Sequence, residues 1–339
     1  MSMKPLTNRK ETRSAFKALF RNLTRGCTKT KKFVGWQGGR TRQQLYWNPD
    51  LQFWTVQKLL KPQQRYWCCF GTKDATKYRG FSITGQINSP VKGFDRTVAG
   101  AFLSDEHGRV YLAHSGKIGG GRAGIGKSAF VSFYRGKNWQ TVLWPDDKET
   151  EMIVIGRVDG ARLQEQIAHF VREIERIKKL AVKGKRLRER AKKQAKFRPE
   201  FSGRRKSYSI KGAIESQCDH GLIISALERE LRENYGLKSA NDRRDLFVVS
   251  KGRMKMLFEA KTDLSTSSIY SAIGQLMFHS TREVREPRKI FVVPDEPTPT
   301  TAKALEKLGI EVLSYEWRKA APTFLNLGQL IRSPASVAD

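Results

Sequence analysis

The chain contains no run of about twenty apolar residues, which excludes a membrane-spanning helix. Its first residues lack the apolar stretch of a secretory signal, so the expected location is the cytoplasm, with no membrane partner. Cysteine is scarce: Cys27, Cys68, Cys69 and Cys218 are the four among 339 residues. Their spacing matches no zinc site, and they are too few to staple a chain of this length, so they are expected to be reduced thiols packed as small hydrophobes. Acid is also short. Against 64 Lys and Arg stand 33 Asp and Glu, a formal charge of +31. That excess goes beyond ordinary solubility and predicts a polyanionic partner, because neutralised phosphates release counterions on binding. No internal repeat is present, and the sole biased segment is one basic stretch.

What remains divides along the chain, and 339 residues suffice for two domains. Residues 1–34 read as a basic N-terminal arm in which Phe16, Leu19 and Phe20 could form one short helix. Residues 35–171 read as a mainly β domain for nucleic-acid recognition, closed by an amphipathic helix carrying Leu163, Ile167, Phe170, Val171, Ile174 and Ile177. Strands are expected at Phe102–Leu103, Val110–Ala113, Phe130–Tyr134 and Met152–Val158. Residues 172–210 read as a basic linker. Between Arg172 and Lys206 sixteen Lys or Arg face four Glu, and Lys185, Arg186, Arg188, Lys192, Lys193, Arg204 and Arg205 are the candidate phosphate contacts. Residues 211–317 alternate helices with strands, which gives a three-layer sandwich. Residues 318–339 read as a tail. The fold class is therefore α+β / α/β, a mainly β N-terminal domain followed by an α/β/α C-terminal one.

The chemistry concentrates between Asp245 and Lys261. Apolar runs Leu246–Val249 and Met256–Phe258 flank a Lys251-Gly252 turn signal, which predicts a β-hairpin of two buried strands. Glu259 and Lys261 share a face because successive strand side chains alternate. Register decides whether Asp245 joins them. A two-residue loop turns it away, whereas a three-residue loop or a bulge sets it opposite Glu259. Two carboxylates so placed repel each other unless a divalent cation lies between them, and hard oxygen ligands suit Mg²⁺ or Mn²⁺, with the Ala260 carbonyl as a further ligand. Lys261 would orient or deprotonate the attacking water.

An Asp followed after thirteen residues by Glu-x-Lys, on a hairpin preceded by an amphipathic helix and followed by a helix and an apolar strand, resembles the PD-(D/E)XK nuclease superfamily. The resemblance covers about residues 211–317. It implies a restriction-endonuclease-like fold and Mg²⁺- or Mn²⁺-dependent cleavage of phosphodiester bonds, with DNA favoured over RNA, in restriction, defence against foreign DNA or repair. Arg244 stands where the superfamily label has proline, a substitution many members share. The resemblance also implies an acid or histidine on the first helix, for which Glu215 and His220 are the options, and Gln275 (with His279 one turn on) resembles a glutamine motif that follows Glu-x-Lys in some members. A homodimer is compatible with it, although the sequence identifies no interface.

Two rival functions stand beside this one. A degenerate nuclease fold would make the chain a non-catalytic nucleic-acid-binding protein. Gly121-Arg-Ala-Gly-Ile-Gly126-Lys127-Ser128 satisfies the P-loop pattern of a nucleotide triphosphatase. Its surroundings argue against that reading, since the downstream Ala129–Tyr134 favours a strand where a helix is required. Finally, the tryptophans and tyrosines of residues 36–67, interleaved with Arg40, Arg42, Lys58, Lys61 and Arg65, either pack a core or stack bases.

Overall fold

The computed structural model describes residues 3–36, 38–119, 125–136, 138–182, 213–241, 244–318 and 321–332, with residues 213–217 described by their backbone alone. The chain divides into two compact units, Met1–Cys218 and Asp219–Asp339.

The first unit is built on two largely antiparallel sheets. Strands β1 (Lys4–Pro5), β2 (Thr28–Trp36), β3 (Gly39–Asn48), β4 (Phe53–Leu60), β5 (Arg65–Gly71), β6 (Gly80–Ser82), β7 (Gly85–Gln86), β8 (Ser89–Pro90), β9 (Gly100–Ser104), β10 (Val110–His114), β11 (Trp139–Leu143) and β12 (Glu149–Arg157) follow in order. One sheet runs β1-β9-β10-β12-β11 and the other β6-β2-β3-β4-β5-β7, with β8 also paired to β5. The first is antiparallel throughout, and the second carries one parallel pair, β2 with β6. Alternation along the strands sends Phe53, Tyr66, Cys68 and Phe70 of one sheet and Phe102, Leu112, Ile153 and Ile155 of the other into a common core. Helices α1 (Arg9–Thr24) and α3 (Leu163–Val182) complete that core with Leu19, Leu23, Ile167, Val171 and Ile174, all fully buried.

Three expectations fail here, each for a packing reason. Residues 3–34 are not a loose basic arm, although the short helix expected around Phe16, Leu19 and Phe20 does form, as part of the longer α1. Asn8 caps α1 by accepting from Lys10 N at 2.8 Å, and the Ala15, Leu19 and Leu23 stripe is narrow enough to be hidden in a basic composition. Phe130–Tyr134 belongs not to a strand but mostly to a helix, α2 (Lys127–Phe133), where Phe130 and Tyr134, four apart, stack at 4.9 Å between ring centroids. The basic linker begins later than expected, because α3 continues through residues 172–182 with Ile174 and Ile177 still buried. The remainder of that segment, including Lys185, Arg186, Arg188, Lys192, Lys193, Arg204 and Arg205, lies outside the described residues. All four cysteines are free thiols, and Cys68, Cys69 and Cys218 are buried, as expected of small hydrophobes.

The second unit holds a six-stranded sheet, β13-β14-β15-β16-β17-β18. These are β13 (Ser239–Ala240), β14 (Leu246–Ser250), β15 (Arg253–Ala260), β16 (Arg288–Val293), β17 (Ile310–Arg318) and β18 (Ala321–Phe324). Strands β15, β16 and β17 are parallel, and the outer pairings are antiparallel. Helix α4 (Ala213–Tyr235) lays Ile223, Leu227 and Leu231 against Leu246, Phe258, Ile290, Val292 and Leu313 on one face. On the other, α5 (Thr266–Ser280) and α6 (Pro299–Lys307) bring Ala272, Leu276 and Leu305 to Leu257, Phe291 and Val293. Each fully buried Leu or Ile stabilises this arrangement by about 1.5–3 kcal/mol. Helix α4 stops at Gly236, whose φ of +63° suits glycine and whose N–H donates to the Arg232 carbonyl at 3.1 Å, the bond of an αL end.

The predicted tail is also ordered in part. Strand β18 covers the edge of β17, and α7 (Leu327–Arg332) buries Leu327 and Leu330 in the α4-side core. Among the described residues no helix is long and apolar enough to cross a membrane.

Candidate active site

The β14–β15 turn has two residues, with Ser250 paired to Arg253 and positive φ at Lys251 (50°) and Gly252 (75°), which suits a tight hairpin turn. On its own that loop would turn Asp245 away from Glu259. A bulge reverses the outcome: Val249 pairs with Met254 but Val248 pairs with Met256, so Lys255 is the extra residue. From there Phe247 faces Leu257 and Leu246 faces Phe258. One step further, Asp245 falls opposite Glu259. The sequence left a longer loop and a bulge as alternatives, and the bulge is what occurs.

Asp245 and Glu259 are both 3% exposed, an unusual burial for two acids. Each is held from two directions. Asp245 Oδ2 accepts from the Ala260 N–H at 2.9 Å, and Asp245 Oδ1 lies 3.2 Å from His220 Nε2 on α4. Lys261 Nζ donates to Glu259 Oε1 at 2.8 Å. The Gln275 amide of α5 lies against the same carboxylate. Oriented with its nitrogen toward Glu259, it donates to Oε1 and, at 3.0 Å, to Oε2. The opposite orientation sets two acceptors face to face and leaves a 3.4 Å contact from Lys261 Nζ, so electrostatics favours the first.

Backbone bonds fix the lysine. Its N–H donates to the Val292 carbonyl at 2.9 Å, and its carbonyl accepts from the Tyr315 hydroxyl at 3.3 Å. Tyr315 was not legible in the sequence, because it arrives from β17 through two parallel crossovers and carries no local motif. Arg244 donates to Glu283 at 3.2 Å and lies 5.1 Å over the Phe247 ring, which anchors the chain just before Asp245. Beyond Lys261, burial works to raise the Asp263 carboxyl, but hydrogen bonds from Ser265 and Ser268 and the nearby Lys261 charge lower it overall.

Asp245, Glu259, Lys261, Gln275 and His220 thus converge at one end of β15. Glu215 lies on the first turn of α4, in the segment whose side chains are not described. The glycine-rich residues 120–124 lie outside the described residues. Lys127 and Ser128 open α2, so a helix does follow that motif, contrary to the sequence expectation, but it is only 7 residues long. Upstream, β10 ends at His114, well before Gly121, and its sheet is antiparallel.

The donor set fits a hard divalent cation. Among the described residues no group of three or more His, Cys, Asp or Glu side chains is placed to hold a metal ion. Mg²⁺ needs none: it is commonly held by one or two carboxylates, with waters and substrate phosphate oxygens completing the shell. Asp245 and Glu259 are the candidate carboxylates, and the carbonyl of Ala260, next to Glu259 in the chain, is the third candidate ligand.

Comparison of the chain with family models, curated proteins and solved structures finds no match.

Proposed function

We propose that this chain is a metal-dependent DNA endonuclease that hydrolyses phosphodiester bonds, with its reaction centre in a restriction-endonuclease-like α/β/α domain formed by the second unit. The observation that carries this reading is the bulge at Lys255, which brings Asp245 into register with Glu259 while Lys261 is bonded to Glu259. A surface ion pair would need no such arrangement, and two acids do not share a buried strand end without a counter-charge.

Asp245, Glu259 and the Ala260 carbonyl would hold Mg²⁺ or Mn²⁺. When bound, that cation supplies charge neutralisation at the phosphodiester and favours ionisation of water. The protein's own groups do the rest. Lys261, a donor in this arrangement, orients the attacking water and the scissile phosphate. Gln275 holds Glu259 in position. His220 fixes the rotamer of Asp245, much as outer partners orient metal ligands. One P–O ester bond breaks as the water oxygen bonds to phosphorus, leaving a hydroxyl and a phosphate monoester. The charge of +31 supplies the affinity for the polyanion. A role in restriction, defence against foreign DNA or repair is an analogy from the PD-(D/E)XK resemblance.

The test is cleavage of supercoiled plasmid at low salt with Mg²⁺ or Mn²⁺ and with chelator. Metal-dependent nicking that disappears in Asp245→Asn and persists in Lys127→Ala supports the reading. Binding without cleavage under every metal condition would favour the non-catalytic alternative, and cleavage lost in Lys127→Ala would favour the nucleotide-driven one.

A further inference from the structure

The first unit contains a cavity of about 1070 Å³ that the hydrolytic centre does not use. It opens among the ends of β2, β7 and β10, the residues flanking them, and the last turns of α3. Three features of its wall belong together.

The first is an aromatic face. Trp47, Trp54, Trp67 and Trp144 are all at most 7% exposed and pack cores, whereas Trp36 on the cavity wall is 43% exposed. It is steadied from behind by Trp67, edge-on at 5.9 Å between ring centroids. An exposed indole with one side braced is a stacking surface.

The second is a fixed amide. Gln86 Oε1 accepts from Trp67 Nε1 at 3.3 Å and from Asn88 Nδ2 at 2.8 Å, and Asn88 Oδ1 accepts from the Cys68 N–H at 3.2 Å. The Gln86 main chain is held by β5 and by a hydrogen bond from His114. His114 is itself 1% exposed and accepts from the Gly116 N–H at 3.0 Å through Nδ1. With its oxygen satisfied twice, Gln86 has its NH₂ left as a donor that meets no protein acceptor among the described residues. Such a side chain is preorganised to read an acceptor on a planar ligand.

The third is charge. Lys73, Lys117, Lys178 and Lys179 line the cavity, together with Arg65, which is already paired at 3.0 Å with Asp95 outside the wall, against a single lining acid, Glu175. Glu175 is already engaged by Lys179 at 2.8 Å and Thr72 Oγ1 at 2.7 Å. The net field at the wall therefore favours an anion.

We infer that this cavity binds one nucleotide, with its base stacked on Trp36 and read by Gln86 and its phosphate on the lysine-rich wall. The volume lies just above the range of about 300–1,000 Å³ usual for small-molecule sites and accommodates a nucleotide with its neighbouring backbone. The occupant is either a base swung out of a DNA strand or a free nucleotide, which share this chemistry. The strand source rests on the nuclease reading above, while the binding itself does not require cleavage.

The experiment uses the full chain in chelator, so that no hydrolysis enters. Fluorescein-labelled duplexes carrying one mispaired base, for each of the four bases and 5-methylcytosine, are titrated beside the fully paired duplex. A mispaired base costs less to swing out. The expected result is about tenfold tighter binding of at least one mispaired duplex, in line with the stacking of one base. Trp36→Ala and Gln86→Ala each remove that preference, Trp36→Phe keeps it, and all three bind the paired duplex as the parent does. Direct titration with deoxynucleoside monophosphates distinguishes the sources: saturable binding lost in Trp36→Ala and Gln86→Ala identifies a free nucleotide. Equal affinity for all duplexes together with no monophosphate binding would overturn the inference, as would a preference that survives both alanine variants. Failure of the nuclease reading would show itself separately, as absence of metal-dependent nicking with this preference intact.

Discussion

His220 Nε2 on α4 lies 3.2 Å from Oδ1 of Asp245 at the foot of β14, so a helix and a strand from different layers meet on one buried carboxylate. The pairing fixes the acid's orientation without removing its second oxygen, which accepts from Ala260 N. His220→Ala is expected to lower cleavage by about 10–100-fold, the usual cost of losing a partner that orients a metal ligand. The loss should be partly recovered by raising Mn²⁺, and this is read from the metal dependence of the nicking rate. A purely structural role for His220 would lower activity equally at all metal concentrations.

Glu259→Gln separates chemistry from packing. Glu259 is buried and bonded to Lys261 and Gln275. The amide keeps the shape and some of the hydrogen bonding while discarding the charge, so cleavage is expected to fall by at least about 10²-fold. Lys261→Ala is expected to cost stability as well, about 3–5 kcal/mol, because it strands a buried carboxylate. Chemical denaturation beside the nicking assay measures both.

The bulge makes an unusual expectation about deletions. Removing Lys255 leaves Val249 opposite Met254 and Val248 opposite Met256 in regular pairing, so Asp245 stays opposite Glu259. That variant should retain nicking to within about tenfold, since a bulge residue is unpaired and its loss leaves the ladder intact. Deleting Lys255 and Met256 together slips the register by one and should abolish nicking, because the slip turns Asp245 to the other face.

Acid should loosen the first unit before its carboxylates titrate. Burial lowers the His114 pKa from 6.5 to about 4, and His169 shifts in the same direction, also through burial. A depressed histidine contributes stability that is complete above pH 6.5 and is lost as pH falls toward 4. The His114 share is on the order of 3 kcal/mol. Denaturant melts of the parent and of His114→Asn between pH 7.5 and 4 check this: the parent should lose more stability than the variant across that window.

Much of the second unit was legible in the sequence because its signals are local. The periodicity of α4, the glycines that end helices at Gly236 and Gly309, and the apolar runs of β14 to β17 each announce one element. The candidate site was legible as residue types, since Asp245, Glu259 and Lys261 sit on one hairpin. Its register was not, because a two-residue turn alone would have turned Asp245 away and a bulge leaves no mark in composition. Non-local features were missed for the same reason. The full extent of helix α1 was one, because only the short helix around Phe16, Leu19 and Phe20 shows through its lysines and arginines, and Phe130–Tyr134 fits either period until Phe170 and His114 pack against it. The cavity wall draws Trp36, Gln86, His114 and Lys178 from four separate segments, which no local pattern could have joined.

The most direct measurement is a calorimetric titration of the intact chain with Mn²⁺, beside Asp245→Asn and Glu259→Gln. The expected result is one saturable site in the parent that is lost or greatly weakened in both variants, each of which still melts cooperatively. Undiminished binding in either variant, or none in the parent, would contradict a cation shared by these two carboxylates.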